Sequence, residues 1–89
     1  MKNIRMSNQF KKDLKKIKKR GKKLSKLDFV VEKLAASKVL DTKYREHKLL
    51  GDYGGKMECH IEPDWLLIYS LDASFVYLYR SGSHADLFT

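Results

Sequence analysis

The hydrophobic period of this chain changes once along its length, and that change restricts the fold more than any other feature. In the first part, apolar residues recur at helical spacing. Phe10, Leu14 and Ile17 fall at i, i+4 and i+7 with almost nothing but lysine and arginine between them, which predicts an amphipathic helix with a narrow apolar seam and a wide cationic back. Ser7 or Asn8 can cap its start. Gly21 supplies the stop, and the lysines of the last turn suit the negative end of the helix dipole. Leu24, Leu27, Val30, Val31 and Leu34 repeat the spacing, with Asp28 and Glu32 on the polar side, and predict a second helix ending near residues 36–38. After Gly54-Gly55 the period is two: Met57, Cys59 and Ile61 alternate with Glu58, His60 and Glu62. Pro63-Asp64 has turn chemistry, and Trp65 to Tyr69 is a nearly continuous apolar strand. A second turn at Asp72-Ala73-Ser74 leads into Phe75 to Arg80, and Gly82 breaks that strand. Lys2 to Met6 reads as a short first strand, with Ile4 and Met6 alternating against Arg5. The stretch from Val39 to Gly51 shows no clear period and reads as a loop carrying Tyr44, Arg45 and His47.

The order strand, helix, helix, then three strands predicts an α+β domain spanning residues 1–89. Its two N-terminal helices pack on one face of a small, mainly antiparallel sheet, leaving the other face for chemistry. At 89 residues such a domain must build a compact core, and a 43% hydrophobic content with ten aromatic residues is enough to build one. Cys59 is the only cysteine and reads as a small core residue; there is no disulfide framework and no thiolate cluster for zinc. A cytoplasmic location is expected, with no secretory leader and no membrane span. His60 and Asp64 with the distant His84 have no spacing that forces them onto one metal ion, so neither metal nor cofactor is expected.

The net charge of +8 is concentrated. Residues 1–23 hold eleven Lys or Arg against the single acid Asp13, whereas residues 24–89 hold eight against ten acids. Such a block attracts polyanions in a salt-dependent way. Lys15, Lys18 and Lys22 stand off the apolar seam and are candidate contacts to RNA, ribosomal RNA in particular; the plainer reading is that they only solvate the helix.

Three histidines, His47, His60 and His84, lie in three separate segments of the C-terminal half. Imidazole can accept and donate protons near neutral pH, and a pair flanking a phosphodiester can do both at once. RNA cleavage by 2′-hydroxyl attack needs that combination. Arg80 or Arg45 can stabilise charge on the phosphorane, Asp64 can fix an imidazole tautomer, and Phe88 or Tyr44 can stack on an unpaired base.

The segments 44–51, 58–69 and 80–88, together with the helical half from Phe10 through Leu34, resemble the YafQ toxins of the RelE/ParE superfamily over almost the whole chain. The resemblance implies a RelE-like fold and a ribosome-dependent endoribonuclease of a type II toxin-antitoxin system that cleaves mRNA without metal. It carries functional roles onto His47, His60, Asp64, His84 and Phe88; of these we read His47 and His84 as the acid-base pair, with His60 and Asp64 positioning them or the phosphate. It also implies an antitoxin partner, commonly a DinJ-like ribbon-helix-helix protein through which operator DNA is bound. One departure stands out: where YafQ-like sequences usually read Tyr-Arg before the acid of the first hairpin strand, this chain has Lys56-Met57. Lys56 can replace the arginine's charge but not its bidentate geometry. Two other readings follow from the same residues: a basic RNA- or ribosome-binding module without catalysis, and a superfamily member acting on DNA gyrase, against which the filled histidine positions argue.

Overall fold

Ser7 is extended, and its hydroxyl accepts the Phe10 N–H at 2.9 Å, satisfying one of the donors that open a helix. The helix α1, Asn8–Lys19, starts there and ends in a lysine-rich turn before Gly21, whose φ of +79° suits a residue without Cβ. After α2, Leu24–Ala35, the chain turns through Ser37 in the left-handed region. The computed structural model describes residues 1–88.

The strands are β1 (Asn3–Met6), β2 (His47–Lys48), β3 (Met57–Glu62), β4 (Trp65–Leu71) and β5 (Phe75–Gly82), followed by the short helix α3 (His84–Phe88). They form one sheet in the order β1-β5-β4-β3-β2, antiparallel except for the β1–β5 pair. The α+β architecture expected from the sequence is the one observed.

Alternation along the strands divides the sheet into two faces. On one, Cys59, Ile61, Leu67, Tyr69, Val76 and Leu78 pack against Phe10 and Ile17 of α1 and Leu27, Val30, Val31, Leu34 and Ala35 of α2. On the other, Leu66 and Ile68 meet Leu87 of α3, with Leu49, Tyr53 and Tyr79 around them. Both helices thus cover one face; among the described residues the second carries the five-residue helix and the segment around Leu49 and Tyr53.

The structure departs from the sequence-based expectations in four places. Residues 39–51 are not structureless: Thr42–Tyr44 and Gly51–Tyr53 form 3₁₀ turns, and His47–Lys48 pairs with β3 as an edge strand. This segment is anchored from below, because the Tyr69 hydroxyl donates to Glu46; burial and that carboxylate push the phenol well above its usual range. The tail after Gly82 is helical. In β1, Ile4 and Met6 each remain 44% exposed, since the strand is held by backbone bonds such as Asn3 N–H to Ser74 O and Ser7 N–H to Leu78 O rather than by buried side chains. Finally, the seam of α1 contains an acid. Asp13 is buried and accepts from Arg80 Nε at 2.9 Å and Nη2 at 3.3 Å, from the Ser81 N–H at 3.0 Å and from Gln9 at 3.1 Å.

Candidate active site

Register brings the first two histidines together. β2 pairs His47 directly opposite Glu58, and His60 lies two residues further along β3, on the same face, turned away from α1 and α2. Glu58 is buried, and its Oε1 lies 3.2 Å from His47 Nε2 and 3.5 Å from His60 Nε2. The opposite nitrogens face carbonyls: His47 Nδ1 is 2.7 Å from Arg45 O and His60 Nδ1 is 3.3 Å from Pro63 O. Arg45 adopts the left-handed region, at φ 50° and ψ 44°, and this conformation of a non-glycine residue, which carries a cost of about 1 kcal/mol, aims its carbonyl at the imidazole.

The third histidine comes from α3, which follows β5 and rests on the same open face. Asp64, in the turn between β3 and β4, accepts from both the His84 N–H at 2.9 Å and its Nδ1 at 3.0 Å. These two bonds hold the Asp64 carboxyl below its usual range and direct the other ring nitrogen, Nε2, outward. The rings of His47 and His60 are 6.4 Å apart between centroids, those of His60 and His84 5.9 Å, and those of His84 and Phe88 6.1 Å. Phe88 in turn meets Tyr53 edge-on at 5.7 Å. His60 is the shielded middle of this row, its side chain 14% exposed, whereas those of His47 and His84 are 48% and 57% exposed.

The position of His84 depends on how α3 is fastened. Ser83 and Asp86 form a reciprocal cap: the Ser83 N–H donates to Asp86 Oδ2 at 2.9 Å, and the Asp86 N–H donates to Ser83 Oγ at 3.1 Å. Asp86 also binds Arg20, with Nη2 to Oδ1 at 2.9 Å, and Lys16 at 3.4 Å. Arg20 first, then the Ser83 N–H, keep its carboxyl well below the usual range. A Cβ at Gly82 would lie 2.7 Å from Asp86 Oδ2 and 3.0 Å from Asp86 Cβ. Gly82→Ala is therefore expected to unseat α3 and leave the sheet in place: amide exchange should rise in residues 83–88 and stay unchanged in β3 and β4. Equal protection in both variants would show that the cap tolerates the methyl group.

The structure thus gathers His47, His60, Asp64, His84 and Phe88 at one edge of the open face. Other residues singled out in the sequence lie elsewhere. Arg80 has two guanidinium nitrogens on Asp13, so it ties α1 to β5. Lys22 is bound to Glu62 at 2.7 Å, as is Lys26, while Lys15 and Lys18 stand exposed. Arg45 and Tyr44 line a cleft of about 660 Å³ beside His60, together with Phe29 and Lys43. Met57 packs on the helix-side core, and Lys56 Nζ sits 4.6 Å over the Tyr79 ring. Cys59 is buried, and desolvation pushes its thiol up to about 12, as befits a core residue. Glu58 escaped the sequence reading because alternation placed it on a polar face without showing that two imidazoles enclose it. Ser83-His84-Ala85-Asp86 carries the spacing of a helix cap, a signal that could have revealed α3.

Among the described residues no group of three or more His, Cys, Asp or Glu is arranged to hold a metal ion; the nitrogens of His47 and His60 point at Glu58 and at carbonyls. A family model for YafQ, described as the bacterial toxin of a type II toxin-antitoxin system, matches residues 2–89. The mRNA interferase toxin YafQ of Escherichia coli K12 is 38% identical over 86 residues, covering 96% of this chain and 94% of that protein. The toxin in the crystal structure of the E. coli DinJ-YafQ toxin-antitoxin complex superposes with a TM-score of 0.90 at 37% identity, covering 99% of this chain and 98% of the other. A metal-bound toxin from Helicobacter pylori gives 0.92 at 41% identity, covering 99% and 100%. With the family model matched along nearly its whole length and the same fold in its relatives, the chain belongs to the YafQ family of bacterial type II toxin-antitoxin toxins.

Proposed function

We propose that this toxin is an endoribonuclease that cuts messenger RNA in the ribosome, using its own imidazoles for proton transfer and no metal. The observation that supports this best is the row of three rings, each oriented by its own partner, with a shielded member between two solvent-facing ones. A phosphodiester lying over His60 has His47 on one side and His84 on the other. The 2′-hydroxyl attacks phosphorus as one outer imidazole takes its proton. The P–O5′ bond breaks as the other outer imidazole protonates the leaving oxygen, giving a 2′,3′-cyclic phosphate and a 5′-hydroxyl. His84 acts through Nε2, because Asp64 occupies Nδ1 and fixes the tautomer; His47, whose nitrogens rest on Glu58 and the Arg45 carbonyl, acts through Nε2 by exchanging Glu58 for the RNA. Glu58 holds His47 and His60 in register. Arg80, bound by Asp13, is poorly placed to stabilise the phosphorane.

Phe88 is 45% exposed at the end of the row and stacks a base next to the cut. Arg45 contacts backbone phosphate from the cleft, and Lys15 and Lys18 on the cationic back of α1 contact ribosomal RNA. The toxin works in the cytoplasm, held inactive by a DinJ-like antitoxin, whose complex with E. coli YafQ supplies the precedent.

The test is the chemistry of the cut ends in a translating extract. Fragments should carry a 2′,3′-cyclic phosphate and a 5′-hydroxyl, whereas 5′-phosphate ends would mean that water is the nucleophile and would overturn the mechanism. Phe88→Ala should lower cleavage by the worth of one stacked base, about 1–3 kcal/mol, without lowering the melting temperature. A large fall in melting temperature with full activity per folded molecule would mean that Phe88 is a packing residue.

A further inference from the structure

The open face of the sheet carries a second row of rings that the catalytic reading does not use. Phe75, Tyr77 and Tyr79 alternate along β5 with Val76 and Leu78, which are buried on the helix side, so the three rings project from the opposite face. Their centroids are 5.6 Å apart for Phe75 and Tyr77, and 6.4 Å apart for Tyr77 and Tyr79, whose planes differ by 23°. A cation lies over each end: the Arg5 guanidinium 4.9 Å above Phe75 and Lys56 Nζ 4.6 Å above Tyr79. The rings are partly exposed; α3 rests on Leu66 and Ile68 instead.

This row joins the active site. Tyr79 and Tyr53 pack against the same cluster of Leu66, Ile68 and Leu87, and Tyr53 touches Phe88, the last ring of the histidine row. A path of aromatic and apolar side chains therefore runs from His47 across the sheet to Phe75, with Lys56 and Arg5 over the rings of its second half.

We propose that Phe75, Tyr77 and Tyr79 form a stacking platform for unpaired bases of the same RNA strand that is cut at the histidines, with Arg5 and Lys56 on its phosphates. The proposal rests on the RNA-cleaving reading above and adds to it where the strand goes beyond the cut. Its chemistry favours RNA over an apolar protein surface. Two of the three rings carry hydroxyls, each end of the row is cationic, and the chain has a net charge of +8. Asp72 faces the Tyr77 hydroxyl, but its Oδ1 already accepts the Ser74 and Phe75 N–H groups at 2.8 and 2.7 Å. Aromatic faces flanked by Lys and Arg are the usual means of holding single strands without reading sequence.

The test uses fluorescently labelled oligoribonucleotides of about 4 and about 12 nucleotides, 2′-O-methylated throughout so that they cannot be cut, with a duplex of the longer sequence as control. Wild-type protein should bind the longer single strand more tightly than the shorter. Tyr77→Ala should remove that gain, lowering the long-strand affinity about tenfold, and Tyr77→Phe should keep it. Tyr77→Leu retains apolar bulk without a π face and should behave like alanine, which covers the case in which Ala unsettles β5. Long-strand affinity unchanged in both Tyr77→Ala and Tyr77→Leu, as a platform for a protein partner would give, overturns the proposal. So does an equal loss on the duplex, whose bases are unavailable for stacking. Because the probes are inert, the outcome is independent of catalysis: a protein that cuts no message but needs Tyr77 for the long strand loses the catalytic reading alone.

Discussion

His84→Ala should reduce cleavage of ribosome-bound message by at least about 10²-fold, the lower end of what a positioned proton donor or acceptor contributes. It should leave the melting temperature within a degree or two, since this side chain is 57% exposed and its partner Asp64 68% exposed. RNA binding should persist, which separates a catalytic loss from a loss of affinity. Asp64→Asn keeps an oxygen that can accept the His84 N–H but removes the charge beside the ring, so its effect should be smaller than that of His84→Ala. His47→Ala should match His84→Ala in size. A His84→Ala protein that still cuts message at the wild-type rate would leave the toxin without one of its two proton carriers and would refute the assignment outright. A protein that binds but does not cut in either its natural or its substituted form would instead be the non-catalytic basic module.

The largest effect on stability should come from a residue far from that chemistry. Asp13→Ala is expected to destabilise the fold by about 3–5 kcal/mol, the cost of breaking a buried ion pair from one side. It strands the Arg80 guanidinium and leaves the buried Ser81 N–H without its acceptor. In a chain of this size 1 kcal/mol moves the melting temperature by about 4–8 °C, so the loss is visible in an ordinary thermal or urea transition. Asp13→Asn retains an oxygen for the Ser81 N–H and should cost less. A shift below about 1 kcal/mol for the alanine variant would show that water replaces the carboxylate and that the tie between α1 and β5 is dispensable.

Much of the fold was legible because its larger elements have a single period each. Phe10 and Ile17, Leu27, Val30, Val31 and Leu34, and the alternation of Met57, Cys59 and Ile61 all face the helix-side core as their spacing requires. The short elements were not. A two-residue strand such as His47–Lys48 has no period of its own and exists because β3 offers it an edge, and α3 is recognisable only by its cap. For the site, residue type was informative and position was not. His47, His60, His84 and Asp64 were identifiable as chemistry-bearing groups, but their meeting depends on strand register and on a turn that brings Asp64 under His84. Charge was the poorest guide. Arg80 and Lys22 read as free groups in the sequence, and each is committed to a partner 40 or more residues away. Glu58, which couples two imidazoles through one oxygen, read as an ordinary solvent-facing acid.

The tie between Asp13 and Arg80 also bears on the order in which the molecule can assemble. It spans 67 residues, and the β1–β5 pairing spans a comparable stretch, whereas the Asp64–His84 bond closes only 20 residues and the His60 contact to Pro63 only three. The entropy lost on loop closure grows with the logarithm of loop length, so the long closure costs about 1 kcal/mol more than that of 20 residues. Antiparallel neighbours joined by tight turns form early, and distant partners wait for them. The meander from β3 to β5 can therefore condense first and bring the histidines within reach of one another. The lysine-rich helix docks afterwards, onto a sheet that already exists.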